Sequence, residues 1–453
     1  MRLMLVRLSG AVFASYWFIP GMMTAVAATL ALVGVWIDRV WEDAWPPGLG
    51  WLLFSEPDGA RAVLQAIAGS MVTVAGVTFS ITIATVSQAT NQFGPRLMTN
   101  FLQDLGNQIT LGAFVSTFVF CLIVLRTVSG ADGEDDSMFV PNISIALAML
   151  LAIASLAVLI YFFQHVPDSV HISMMVSAVG LRMHTLIDEL YPTAIGEAPD
   201  EDPMEAGYAH GGGALEDAAP VFSTVRGYVG HIDPGVLMRA ARRKDILVWV
   251  AARPGDFVDP TVPLAFVKPA AYADAKTRKN VRTGYIVGRK RTETQDLLFL
   301  VDQLVEVAGK ALSPGINDPA TAMTCVDWLT SGMIHFVSRA VPSACRYDQD
   351  GILRVVAQPI DFAEFAEAAY TQLRPYVETD RNAALHMMNA FARVAQHLHE
   401  PAHARILRAQ ADALKAGCDS ELSHPADRQA VAARLAFVHQ RLVPHLGPDP
   451  APA

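Results

Sequence analysis

Hydroxyl side chains recur at helical spacing inside a long segment that has no charge. Residues 62–95 contain no Asp, Glu, Lys or Arg. In a helix that turns about 100° per residue, Thr73, Ser80 and Ser87 fall on one narrow stripe. Oxygen atoms on such a stripe can replace part of the hydration shell of an ion. The pattern predicts a pore-lining stripe made of Thr73, Val77, Ser80, Ala84, Ser87 and Asn91.

The same stripe has a second interpretation, which is packing alone. Small residues let membrane helices approach closely, and Gly69, Gly76 and Ala84 fit that use. Each hydroxyl can also bond to the carbonyl four residues earlier, so that nothing polar is exposed. The absence of an ionisable residue on the stripe favours a weakly selective channel over a proton-coupled transporter. Both interpretations, pore lining and packing, stay open at this point.

The end of this segment contains a helix-breaking pair. Phe93 is followed by Gly94 and Pro95, and a Gly-Pro pair stops or sharply bends a helix. We predict either a gate or hinge at Phe93, Gly94 and Pro95, or a plain helix stop.

A compact basic cluster lies much later in the chain, at Arg239, Arg242, Arg243 and Lys244. Close to a membrane surface, such a cluster attracts anionic lipid head groups by about 1 kcal/mol per charge. It could equally be a solvated helix face, or a vestibule that concentrates ions. The cluster is therefore a candidate site for lipid or another anion. The same interpretations, lipid binding or a solvated face, apply to a second basic patch made of Arg289, Lys290 and Arg291.

An unusual turn sequence follows a predicted helix near residue 311. Ser313, Pro314 and Gly315 should end that helix, while Asp318 should cap the next helix and Pro319 should occupy its first position. Ser313 lacks the surroundings of a nucleophile. The segment is predicted to be a structural turn whose exposed amides could bind an anion or a neighbouring subunit. Its residues are Ser313, Pro314, Gly315, Asn317, Asp318 and Pro319.

Two groups of histidines contain side chains of a type that binds metal ions. Pro167 interrupts the helix between His165 and His171, so helical spacing does not bring these side chains together. In the other group only His399 and His403 have i, i+4 spacing, and no third ligand is implied. We expect no metal, no cofactor and no catalytic residues, so an enzyme is not predicted.

The composition indicates a membrane protein with soluble domains. The hydrophobic fraction is 52%, and the apolar residues are concentrated in the first third of the chain. Four charge-free windows exceed the roughly 20 residues needed to cross a bilayer. The net charge of −10 argues against nucleic-acid binding, and the four cysteines match no zinc or disulfide spacing. The predicted spans are about residues 12–37, 62–92, 106–127 and 139–165.

Positive residues beside the predicted spans indicate an orientation. Arg2, Arg7, Arg96 and Arg182 lie at ends that would face the cytoplasm, whereas the other loops are acidic. We therefore expect a multi-pass protein of a bacterial inner membrane, with both termini in the cytoplasm. The predicted domains are a transmembrane domain (1–168), a cytoplasmic helix and flexible linker (169–220), a small β-barrel or sandwich (221–290) and a helical C-terminal domain (291–453).

Several short motifs carry a resemblance, and they are spread over most of residues 15–330. They are Tyr16–Pro20, Gly69–Gly76 with Phe79 and Ser80, Gln92–Arg96, Gly106–Gln108 with Leu111 and Gly112, Arg253–Val258, Gln295 with Asp296, and Ala311–Pro319. On these motifs the chain resembles a bacterial family of predicted membrane proteins with a domain of unknown function. The resemblance implies a multispan inner-membrane protein, and it brings no activity or ligand with it.

Two functional hypotheses follow from the sequence. The first is a homo-oligomeric channel for ions or small solutes, lined by the second span and gated by tension or by a cytoplasmic ligand. The alternative is a non-conducting sensor or scaffold that recruits a cytoplasmic partner. The expected partners are the lipid bilayer, further copies of this chain and permeating ions, with no nucleic acid.

Overall fold

A computed structural model describes residues 17–40, 56–93, 105–129, 139–169, 171–191 and 216–446. The chain divides into two compact units, residues 1–175 and residues 176–453. We call them the membrane unit and the C-terminal unit, and each is considered by itself.

Four helices among the described residues are long and apolar enough to cross a membrane. Their backbone groups are bonded within each helix, as a segment surrounded by lipid requires. The sequence prediction of four apolar helices is confirmed. The start of the first predicted span, residues 12–16, lies outside the described residues. The helices are α1 (Phe18–Val40), α2 (Pro57–Phe93), α3 (Leu105–Thr127) and α4 (Asn142–Ser169).

Helix α3 is the central helix of the membrane unit. It packs against α1, α2 and α4, and 56% of its apolar window is buried, compared with 17% for α2. Gly112 allows the close approach of α1, because a Cβ atom there would lie 3.2 Å from the Pro20 Cα. The third span therefore forms the core of the membrane unit, and the second span lies at the periphery of that unit.

A buried carboxylate joins the first and fourth spans. Asp38 in the last turn of α1 accepts hydrogen bonds from Ile143 N (2.8 Å), Ser144 N (3.0 Å) and Ser144 Oγ (2.6 Å). The first amides of α4 have no partner within their own helix, so Asp38 supplies the cap from another helix.

The C-terminal unit combines one helix, two sheets and a group of further helices. It begins within α5 (Ile172–Leu190), whose buried side packs on α9. The elements that follow are β1 (Ala219–Phe222), β2 (Gly227–Ile232), α6 (Pro234–Lys244), β3 (Leu247–Val250), β4 (Phe257–Val258), β5 (Pro263–Lys268), α7 (Ala275–Arg282), β6 (Tyr285–Gly288), α8 (Leu297–Ala311), α9 (Pro319–Val337), β7 (Cys345–Tyr347) and β8 (Leu353–Val356).

The larger sheet has the strand order β1-β5-β3-β8-β7. Strands β3 and β8 pair in parallel, and the other neighbours are antiparallel. Val248 and Val250 of β3 point into a core that also contains Leu237 of α6 and Val281 of α7. Burial of these apolar side chains is the main source of stability for this layer.

The sequence predicted a small β-barrel or sandwich, and the structure does not show a barrel in the part of the chain that it describes. The second sheet is an open one of three strands, ordered β4-β2-β6, and among the described residues neither sheet closes on itself. Closure needs a continuous hydrogen-bonded ring, whereas these strands are short and divide between two sheets. Strands β7 and β8 come from a part of the chain that was expected to be helical, so the larger sheet crosses the expected boundary at residue 290.

The remainder of the C-terminal unit is helical, as the periodicity of the sequence predicted. Helix α8 packs on α9, and α9 packs on α12 (Arg381–Ala395). Helix α12 packs on α13 (Pro401–Glu421) and α14 (Pro425–Leu442). The segment from Phe362 to Val377 is interrupted by a π turn at Glu367–Thr371. The helices are α10 (Phe362–Ala366), α11 (Arg374–Val377), α12 (Arg381–Ala395), α13 (Pro401–Glu421) and α14 (Pro425–Leu442).

Candidate functional site

The predicted pore-lining stripe lies on the outer surface of the single chain. Its members Thr73, Val77, Ser80, Ala84 and Ser87 are all exposed, whereas Thr78 and Thr82 on another face of α2 are buried. Asn91 lies in the last turn of the same helix. No acidic or basic residue follows Arg61 in the helix. The exposed stripe is therefore an uncharged surface of small side chains and hydroxyls.

Two hydroxyls of the stripe, those of Thr73 and Ser80, bond back to their own helix. Thr73 Oγ1 donates to Gly69 O (2.9 Å) and Ser80 Oγ donates to Gly76 O (2.8 Å). This arrangement satisfies the donor of each hydroxyl, and the oxygen keeps lone pairs that can accept a further bond. The stripe can consequently pack against another helix or face water.

Of the three residues proposed as a gate, the structure describes only the backbone of Phe93. The helix ends at Phe93. Gly94 and Pro95 lie outside the described residues. The gate hypothesis therefore stays a prediction.

Buried polar side chains are concentrated on α3, a helix for which the sequence predicted a span and a family motif but no site. Asn107, Gln108 and Thr110 lie near its start and are almost fully buried. Thr117 Oγ1 lies 3.0 Å from Ser155 Oγ of α4, a hydrogen bond between two spans. The sequence signal for this buried polar group is the pair Asn107 and Gln108 at the start of an apolar helix.

The basic cluster on α6 is partly neutralised by neighbouring carboxylates. Arg242 lies 3.4 Å from Asp350, and Lys244 Nζ lies 3.2 Å from Asp274. Arg239 and Arg243 are exposed. Since such exposed pairs reduce the local field, the cluster offers an anion less positive charge than its sequence implies.

The turn at residues 313–319 connects α8 to α9. Ser313 Oγ donates to Lys310 O (2.6 Å), and Asn317 adopts a positive φ of 51°. Asp318 is the N-cap of α9 and accepts from Thr321 N (3.2 Å). Pro319 is the first residue of that helix. These contacts account for the turn without a ligand.

A cavity of about 490 Å³ lies within the C-terminal unit. It opens between the larger sheet, the start of α6 and the start of α8. Its apolar wall includes side chains that also belong to the core beneath the sheet. That wall contains Ile232, Leu237, Met238, Val250, Val355 and Ile360.

Arg253 is one of three arginines that line this cavity. It follows β3, and its Nη1 and Nη2 atoms donate to the two carboxylate oxygens of Glu364 at 3.1 and 2.5 Å. Burial opposes ionisation of Glu364, but the bonds from Arg253 hold its pKa below the usual value. The bidentate contact fixes the orientation of the guanidinium group.

Arg291 is held by a second network at the start of α8. It donates to both oxygens of Asp296 (2.8 and 3.0 Å) and to Asp302 (2.7 Å). Asp296 also caps α8 by accepting from Phe299 N (3.0 Å). Burial raises the pKa of Asp296, and the contact with Arg291 opposes that shift. The sequence had suggested that Arg291 is part of an exposed basic patch, whereas its side chain is only 23% exposed.

Two motifs that carried the family resemblance meet in this cavity. The segment Arg253–Asp256 and the pair Gln295 and Asp296 all line it. Gly255 adopts a φ of 97°, and a Cβ atom there would lie 2.3 Å from Asp296 Oδ2. The special backbone conformation and the close approach both require glycine. Each motif was visible in the sequence, but only the fold brings the two motifs together at one cavity.

Several of the described histidines contact aromatic rings and carboxylates. Among the described residues no cluster of three or more His, Cys, Asp or Glu side chains could hold an ion. His403 stacks on Phe362 with ring centroids 4.4 Å apart and lies 3.3 Å from Glu400. In the C-terminal unit His184 stacks on His335, with 4.7 Å between the centroids.

Comparison with known proteins gives a family and no activity. A family model described as "Predicted membrane protein (DUF2254)" matches residues 14–393. An uncharacterized protein of Mycobacterium bovis and one of Mycobacterium tuberculosis are each 29% identical to the chain over 398 residues. Each match covers 85% of this chain and 74% of the relative. No solved structure matches the chain significantly.

Proposed function

Because this chain belongs to the DUF2254 family of predicted membrane proteins, we propose that it forms a homo-oligomeric channel for ions or small solutes, lined by α2. The proposed location is a bacterial inner membrane with both termini in the cytoplasm. The channel would be gated by membrane tension or by a cytoplasmic ligand. The family membership supports the membrane location, and the pore is inferred from the residues of α2.

The observation that carries the proposal is the exposed hydroxyl stripe. A candidate membrane span exposes Thr73, Ser80 and Ser87 along one face of the single chain. The core of a bilayer offers these oxygens no hydrogen-bond donor. Copies of α2 arranged around an axis would place the stripe against other subunits or against water. An aqueous axis lined by uncharged oxygens would conduct with weak selectivity.

Packing between helices is the competing explanation, since the hydroxyl donors of Thr73 and Ser80 are already bonded to their own helix. Access of water to the stripe separates the two explanations. We would replace Ser80 with Cys in the full chain and measure its reaction with a charged, membrane-impermeant thiol reagent. Phe79→Cys is the matched control, because it has the same depth and is turned about 100° away. The native cysteines among the described residues are buried.

A channel predicts fast labelling at residue 80 and slow labelling at residue 79. Equal protection of both positions would refute the aqueous stripe. Conductance in planar bilayers then tests function, with Ser80→Leu and Ser87→Leu as pore-blocking variants. Current that is lost in the variants without dissociation of the oligomer would support the channel. The absence of current across voltage, tension and pH would reject it.

A non-conducting sensor or scaffold is the second candidate. The cavity of about 490 Å³ in the C-terminal unit favours it, since most ligand sites are concave, largely apolar and of comparable volume. Such a protein would bind a ligand or partner without carrying current. Failure of both the labelling and the conductance experiment, together with ligand binding, would favour this candidate.

A further inference from the structure

We propose that the cavity in the C-terminal unit binds a small amphipathic organic molecule, with an apolar body and a carboxylate-like head group. This proposal does not depend on conduction, because it concerns a different part of the chain. Its first basis is volume, since about 490 Å³ lies within the range of typical small-molecule sites.

The apolar wall determines the body of the ligand. Leu237 and Val250 belong to the core of the unit, and Met238 lines the opening beside them as a partly buried side chain. Water in contact with such a wall makes few hydrogen bonds, so an apolar body gains free energy when it replaces that water. Methionine also adapts to irregular ligand shapes.

The polar groups on the lining of the cavity determine the head group. Three arginines line the cavity, namely Arg253, Arg291 and Arg346, and two aspartates accompany them. A guanidinium carries five N–H donors. Glu364 accepts two bonds from Arg253. Asp296 and Asp302 together accept three bonds from Arg291. Each of these two guanidinium groups therefore keeps N–H donors that those bonds do not use.

The aspartates that line the cavity already accept internal bonds. Asp256 Oδ2 accepts from Arg253 N (2.7 Å), and both oxygens of Asp296 accept from Arg291. A hydrogen-bond donor on the ligand would compete with these internal donors for the carboxylate oxygens. A hydrogen-bond acceptor on the ligand would not meet that competition. Arg253 and Arg291 already have carboxylate partners, so their positive charge is largely compensated. We infer that a single carboxylate is preferred over a multiply charged anion.

The guanidinium groups are also held in position before a ligand arrives. Arg253 is fixed by its bidentate contact with Glu364, and Arg291 is fixed by three bonds and by the ring of Phe299 at 5.3 Å. Little side-chain entropy is then lost on binding. This rigidity supports recognition of a head group with defined geometry.

The test measures binding of simple probes to the full-length chain in detergent by titration calorimetry. Benzoate, 2-naphthoate and 4-phenylbenzoate provide apolar bodies of increasing size. The carboxamide and the methylammonium analogue of the best probe keep the body and change the head group. We expect the carboxylate to bind on the order of 10-fold more tightly than the carboxamide, and the ammonium compound to bind most weakly.

Two variants connect binding to the cavity. Met238→Trp fills the opening and should abolish binding of both the carboxylate and the carboxamide. Arg346→Gln should weaken the carboxylate about 10-fold and leave the carboxamide nearly unchanged. Arg405→Gln, at an exposed position on α13, is the matched control and should change neither affinity. Thermal unfolding of each variant confirms that it is folded.

Failure to detect any of the three carboxylates at millimolar concentration would overturn the proposal. Binding that survives Met238→Trp in a folded variant would place the ligand elsewhere and would also overturn it. Equal or tighter binding of the ammonium analogue would reject the carboxylate head group. Because these experiments measure no current, their result is independent of the outcome for the channel.

Discussion

Asp296 should contribute more to stability than an ordinary helix cap, and this can be measured. Its carboxylate caps α8 and accepts two bonds from Arg291, and its side chain is only 3% exposed. The replacement Asp296→Ala removes all of these bonds at once. It leaves Arg291 with one of its carboxylate partners, Asp302.

The size of the effect follows from these contacts. Loss of a helix cap costs about 1 kcal/mol. Loss of hydrogen bonds to a charged group that is mostly buried costs about 1.5–3 kcal/mol more, and the remaining bond to Asp302 offsets a part. The sum is a destabilisation of about 2–4 kcal/mol. For a unit of this size, that corresponds to a decrease in Tm of roughly 5–15 °C.

Thermal unfolding of the detergent-purified chain, followed by tryptophan fluorescence, provides the assay. Trp249 and Trp328 both lie in the C-terminal unit and report on its unfolding. Asp380→Ala is the matched control, because Asp380 caps α12 through Ala383 N (2.8 Å) and loses only a cap. The control should lower Tm by only about 2–4 °C.

Two results would contradict this reasoning. Equal decreases in Tm for Asp296→Ala and Asp380→Ala would mean that the contact with Arg291 adds nothing to the cap. A larger decrease for Asp296→Asn than for Asp296→Ala would be equally contrary. Asparagine caps a helix well and retains one acceptor for Arg291.

Three further predictions concern acid sensitivity and the membrane unit. Because Arg253 lowers the pKa of Glu364, this pair should stabilise the fold above the unfolded pKa of about 4.3 and should lose that contribution as the pH falls further. Between pH 5 and 3 the Tm of Glu364→Gln should therefore decrease less steeply than the Tm of the unmodified chain. Burial and the neighbouring His335 lower the pKa of His184, so the stability that His184 contributes above about pH 6.5 should be lost on acidification. The replacement His184→Asn should therefore reduce the dependence of Tm on pH between pH 7 and 5. Asp38→Ala should destabilise the membrane unit by about 1–2 kcal/mol through loss of the cap on α4, whereas Asp38→Asn should have less effect in the same detergent-based unfolding assay.

The sheets illustrate where local reasoning about the sequence fails. The sequence predicted β structure within residues 221–290, where β2, β3 and β5 lie. Of the two predicted arrangements, barrel or sandwich, the barrel is not shown by the described residues, because nothing local specifies which strands pair. Strand β3 pairs with β8, more than 90 residues later. Such pairing depends on contacts distant in the chain, and short apolar runs carry little information about them.

The cavity gives a similar lesson for the candidate site. Arg253 and Asp296 appear in the sequence only as members of two separate motifs of the family resemblance. Arg291 belongs to a basic patch for which the sequence left lipid binding and a solvated face both open. In the fold Arg291 is largely buried, because the carboxylates of Asp296 and Asp302 compensate the loss of hydration of its guanidinium group. Local sequence does not reveal that these carboxylates meet Arg291.

The sequence by itself determined that this is a membrane protein with four apolar spans and a large polar remainder. A bilayer selects for length and apolar composition, and both are local properties of a segment. Tertiary structure alone decided that α3 is the central span, that the hydroxyl stripe of α2 is exposed, and that two distant motifs enclose one cavity. The physical reason is that burial and ion pairing depend on which surfaces meet, and local periodicity does not encode that choice.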